Sequence, residues 1–130
     1  MTTIELWETC LEAFVLLSRD GERIKADPLL PETHPIPGEL VRLLRQHKQE
    51  LLRLIDYQAE ADRLLLESTR RLAARWPAGC VLDGPDWDRQ ESALHEAYWT
   101  LSSDRLNDTL QSRETYALSA FDRYRKEHER

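Results

Sequence analysis

Leu6, Trp7, Cys10, Leu11 and Phe14 recur at intervals of one, three and four residues, the signature of a helix with one apolar face. Thr2 stands three residues before Glu5, the spacing at which a threonine hydroxyl and a glutamate cap each other's backbone amides, so a short helix is expected from about Ile4 to Ala13. Beyond it the period shortens to two. If the chain reverses at Asp20-Gly21, then Val15, Leu17, Ile24 and Ala26 share an apolar face, while Leu16, Ser18, Arg23 and Lys25 point the other way. Asp-Gly is a strong two-residue hairpin signal, because a type I′ turn needs positive φ at both central positions, which Asp tolerates and Gly readily adopts. That turn pairs Arg19 with Glu22, Ser18 with Arg23, Leu17 with Ile24, Leu16 with Lys25 and Val15 with Ala26. A continuous helix from Ile4 through Ser18 is the competing reading.

Pro28, Pro31, Pro35 and Pro37 make the stretch from Asp27 to Ile36 irregular, and Pro37 opens a helix with the apolar stripe Leu40, Val41, Leu44. Lys48 to Arg75 contains neither Gly nor Pro, and Leu51, Leu54, Ile55, Ala61, Leu65, Leu72 and Trp76 recur every few residues. One long helix over 48–75 is expected. Pro77, Gly79, Gly84 and Pro85 interrupt the pattern, with Asp83 or Gly84 as the next cap. Trp87, Leu94, Ala97, Tyr98 and Leu101 then mark a helix from about Pro85 to Leu101. Ser103-Asp104 caps a last helix whose stripe is Leu106, Leu110, Ala117, Phe121 and Tyr124. The fold class is therefore α+β, mostly α: an αββαα section over residues 1–56, then an antiparallel helical bundle or hairpin over 57–130, the two sharing the long helix.

Composition narrows the function more than the fold. The 130 residues are 41% hydrophobic with four Trp and four Tyr, enough to close a core without disulfides. Cys10 and Cys80 lack any CxxC spacing and are expected to be buried free thiols. No apolar run approaches the roughly 20 residues of a membrane span, and Met1-Thr2-Thr3-Ile4-Glu5 does not resemble a signal peptide, so a cytoplasmic protein without a membrane partner is expected. The net charge of -6 is spread evenly, -3 in residues 1–56 and -3 in 57–130, and this argues against general affinity for nucleic acid.

The residues that carry chemistry do not converge on a reaction. There is no Walker loop, Gly-x-Gly-x-x-Gly, Gly-x-Ser-x-Gly elbow or zinc-finger spacing. No catalysis, cofactor or metal is expected. Glu91 and His95, four apart on a helix, lack the third ligand of a metal site and suit a surface or interhelix hydrogen bond better. His47-Lys48, at the junction of two helices, is a candidate anion contact or a junction cap. Arg63, Arg70, Arg71 and Arg75 are interleaved with acids, as in a salt-bridged solvent face. Trp99 adjoins Tyr98 on a helix, so the two should face apart, leaving Trp99 the best exposed aromatic.

The stretch Asp20-Gly21-Glu22-Arg23-Ile24-Lys25-Ala26, followed by Pro37-Gly38-Glu39-Leu40 and Arg45-Gln46-His47-Lys48-Gln49-Glu50-Leu51-Leu52-Arg53-Leu54-Ile55, resembles docking domains of the TubC type. These are small αββαα modules at the N-termini of some hybrid polyketide and nonribosomal peptide synthetase subunits. The resemblance covers about residues 4–56. It implies an exposed hairpin edge that receives a partner's C-terminal peptide by strand addition, with charged residues selecting the match. On that basis Ser18, Arg23 and Lys25 are the expected contacts, with Trp99 as a further partner-binding residue outside the resemblance.

The expected function is a non-catalytic docking protein that binds a partner peptide at the hairpin edge. A second copy is also expected to pack on the stripe around Leu64 and Leu66. The alternative is a nucleic-acid-associated accessory or regulatory protein of a plasmid or other mobile element.

Overall fold

A computed structural model describes residues 1–129. Its elements are helix α1 (Thr3–Glu12), strands β1 (Val15–Asp20) and β2 (Arg23–Pro28), and helices α2 (Gly38–Gln46), α3 (Lys48–Arg75), α4 (Pro85–Tyr98) and α5 (Ser103–His128). The mostly helical α+β class is as expected. The chain divides into two compact units, Met1–Asp56 and Tyr57–Arg130.

In the first unit the Thr2–Glu5 capping box forms in both directions and starts α1, so Leu6 and Cys10 come to lie on its buried side. The backbone then turns through Phe14, whose φ of 58° ends the helix and sends the chain into β1. This excludes a helix running on to Ser18. Val15 and Leu17 are buried, and with Leu6, Cys10, Leu40, Leu44 and Leu51 they form one core against which Ile24 and Ala26 pack. The expected inner face of the hairpin is thus correct.

Its register is not the expected one. Asp20 pairs with Arg23, Ser18 with Lys25, Leu17 with Ala26 and Val15 with Pro28. The loop is Gly21-Glu22, not Asp20-Gly21. Gly21 has φ +60° and Glu22 is not among the positive-φ residues, the arrangement of a type II′ turn with glycine at its first central position. A type I′ turn would need positive φ at two residues, and here only the glycine adopts it. Moving the turn by one residue moves the pairing by two, so every side chain keeps its face.

In the second unit, Tyr57, Ala61, Ala97, Leu106 and Leu110 form one core cluster and Leu72, Cys80, Ala117 and Phe121 another. Leu106, Leu110, Ala117 and Phe121 of the α5 stripe are buried as its spacing implies, and Tyr124 is half-buried. Gly84 caps α4, and the Ser102 hydroxyl accepts from the Arg105 amide to cap α5, one residue before the expected Ser103-Asp104. Leu101 does not extend α4: it takes φ +57° in the short link and is 43% exposed. Trp76 lies just past the end of α3. Its ring sits 4.7 Å from Phe121 and its indole N–H donates to the Cys80 carbonyl at 2.8 Å, which fixes the loop that follows. No helix among the described residues is long and apolar enough to cross a membrane.

Candidate functional site

Two strands make the whole sheet, so both of its edges are unpaired. The Leu29 amide donates to the Phe14 carbonyl at 2.8 Å, which extends the β1–β2 ladder by one hydrogen-bonded pair. Hydrogen-bonded pairs alternate in an antiparallel ladder. The backbone groups of Arg23, Lys25 and Asp27 therefore face β1, whereas those of Ile24 and Ala26 face outward. Pro28 follows in the outward set and has no N–H to offer.

A groove of about 450 Å³ runs beside this edge. Ile24 and Ala26 from β2 and Val41 and Leu44 from α2 supply its apolar surface, and Arg23, Arg45 and Lys48 its polar one. Residues 41, 44, 45 and 48 recur at the spacing of one helix face, and for that reason α2 and the first residue of α3 present them together. The lining has three cations and no carboxylate.

Those three cations, like Arg53, stand apart from the paired cations of the first unit. Arg19 is paired with Asp56 at 2.6 Å, Lys25 with Asp27 at 3.7 Å, and Arg42 with Glu39. Hydrogen bonding from Arg42 holds the Glu39 carboxyl below the usual range, a sign that this pair satisfies itself. Arg23, Arg45 and Lys48 make no ion pair with any described residue. The groove thus keeps positive potential over an apolar floor, in a chain of net charge -6.

The expected site residues divide. Arg23 is exposed and lines the groove. Lys25 and Ser18 face each other across the outer side of the hairpin, Lys25 exposed and Ser18 half-buried, so Ser18 does not pair with Arg23 as expected. His47 and Lys48 have different surroundings. His47 ends α2, its Nδ1 is 3.8 Å from a Glu50 carboxylate oxygen, and its carbonyl accepts from Leu51. Lys48 turns into the groove instead. Trp99 belongs to the second unit, where it is half-buried with its ring edge-on to Tyr98 at 5.2 Å, so the two rings touch where they were expected to diverge. Leu64, expected to receive another copy of the chain, packs against the Tyr57–Ala61 cluster, and Leu66 is half exposed.

Several charged groups of the second unit are engaged in ion pairs. Glu91 accepts from Arg113 at 2.9 Å, and the Arg113 guanidinium lies 4.8 Å from the Trp87 ring centroid. Arg71 binds Glu114 at 2.6 Å. Ser68 is fully buried and its hydroxyl makes no hydrogen bond of ordinary geometry, yet it still helps to lower the Glu114 pKa. Burial pushes the Cys10 thiol in the first unit up, away from the reactive thiolate. No group of three or more His, Cys, Asp or Glu among the described residues is placed to hold a metal ion.

Sequence reasoning missed Val41, Leu44 and Arg45 as candidate site residues, although for Arg45 a signal was present. Arg45 and Lys48 have no acid three or four positions away on either side, unlike Arg42 and Arg63. No family model, curated protein or solved structure matches the chain.

Proposed function

We propose that this protein is a non-catalytic docking protein whose β2-edge groove receives an acidic peptide from a protein partner. The observation that carries this reading is the groove lining, with three unpaired cations and no acid around an apolar floor. A helix-side wall and an open strand edge together suit a peptide better than a compact metabolite. The order α1-β1-β2-α2-α3 supports the docking-domain reading of residues about 4–56. Charge complementarity of this kind sets partner choice and association rate more than raw affinity.

The test compares partner capture by the full chain and by Arg45→Glu with Lys48→Glu, alongside the charge-matched control Arg53→Glu with Arg70→Glu. The groove variant should lose a partner that carries an acidic segment and the control should keep it. Equal recovery would remove the groove as the docking surface. A DNA mobility shift that falls steeply with salt and disappears in the groove variant would instead favour the nucleic-acid reading.

A further inference from the structure

The ladder geometry limits what the β2 edge can accept. Ile24 and Ala26 direct their backbone groups outward, and their side chains face the groove floor beside Val41 and Leu44. Lys25 and Asp27 direct their side chains to the opposite face, and Arg23, on that face by alternation, also borders the groove at its turn end. A strand added to this edge places each of its side chains on the same face as the β2 residue opposite it. Residues opposite Ile24 and Ala26 would therefore enter the groove, and those opposite Arg23 and Lys25 would lie outside it next to cations. One step further, Asp27 repels an acid and Pro28 has no N–H to donate, so pairing stops there.

Resting on the docking reading above, we infer that the groove recognises a short extended peptide with the repeat acidic–apolar–acidic–apolar, set opposite Arg23, Ile24, Lys25 and Ala26. The period of two follows from the strand edge. The length follows from the Gly21-Glu22 turn at one end and Asp27-Pro28 at the other. Arg45 and Lys48, on the helix wall, hold the potential of the groove positive and exclude a basic occupant. Lys25 shares its charge with Asp27, whereas Arg23, across the ladder from Asp20, makes no ion pair with any described residue, so the acid opposite Arg23 should matter more.

A randomised peptide display library selected on the immobilised full chain tests this, with Arg45→Glu plus Lys48→Glu as the counter-target. Peptides retained only by the wild-type chain should alternate acidic and apolar residues. A scan of backbone N-methylation through one of them should then show a period of two. Methylation at amides that bond β2 should weaken binding about tenfold, and at the intervening amides less than about twofold. Ala26→Pro removes one outward N–H from the protein side and should weaken the same peptide to a similar degree. Should that variant fail to fold, the methylation scan on the wild-type chain decides the matter alone.

Groove-dependent peptides with apolar residues spaced three and four apart, or a methylation scan without alternation, would overturn the strand register and leave peptide docking standing. A library with no enrichment that depends on the groove would overturn both.

Discussion

Gly21 shows how one backbone angle decides a register. Its φ is +60° and a Cβ added there would meet nothing within 4 Å, so the cost of any side chain is conformational, not steric crowding. Gly21→Val should destabilise the first unit by about 1–2 kcal/mol in denaturant unfolding. Asp20→Val separates the two turns, because Asp20 is an exposed strand residue here and would need positive φ in the turn expected from the sequence. That variant should stay within about 0.5 kcal/mol of wild type. Glu114 offers a test by pH. Burial alone would raise its pKa, but hydrogen bonding from Arg71 and the charges of Arg71 and Arg113 outweigh that effect and hold it below its ordinary value. A carboxylate with a lowered folded pKa contributes stability that is present above its unfolded value, about 4.3, and is lost as pH falls through the folded one. Acid unfolding of Glu114→Gln should therefore show a shallower slope below about pH 4.5 than wild type.

At the level of elements, the periodic patterns carried most of the fold. The α5 stripe was legible because Leu106, Leu110, Ala117 and Phe121 fall on one helix face, and all four are buried. Leu106→Ala should cost about 2–5 kcal/mol and Phe121→Ala about 3–5, whereas Leu66→Ala, at a half-exposed position on α3, should stay within about 0.5. Chemical denaturation of the three variants measures this directly. Helix ends were legible only where a cap is local. The Thr2–Glu5 box was read correctly, but Leu101 keeps the apolar period of α4 while its backbone has already left the helix. Periodicity records which side chains could share a face, not whether the hydrogen bonds continue. The groove was half legible for a related reason. Arg23 was expected from the resemblance and Lys48 from its place at the helix junction, but Val41, Leu44 and Arg45 become candidate site residues only once α2 stands beside β2. A tertiary neighbour of that kind leaves no mark in local spacing. The lack of acids around Arg45 and Lys48 did leave one, since cations on a helix usually find a carboxylate one turn away.

For the whole molecule, charge is the property that ties fold to function. A chain of net charge -6 repels acidic partners over most of its surface, and at physiological salt that field decays within about 8 Å. An acidic peptide is therefore attracted only where cations are local and unneutralised, as they are at Arg23, Arg45 and Lys48. Salt should weaken docking without abolishing it, because the apolar floor of Ile24, Ala26, Val41 and Leu44 is indifferent to ionic strength. The most direct test is the affinity of one library-selected acidic peptide for the wild-type chain, the Arg45→Glu and Lys48→Glu double variant, and the Arg53→Glu and Arg70→Glu control, with folding verified by thermal unfolding. We expect the groove variant to bind at least about tenfold more weakly and the control to bind within about twofold of wild type, a difference of about 1.4 kcal/mol or more that belongs to position and not to net charge. Equal weakening in both variants, or in neither, would contradict docking at this groove.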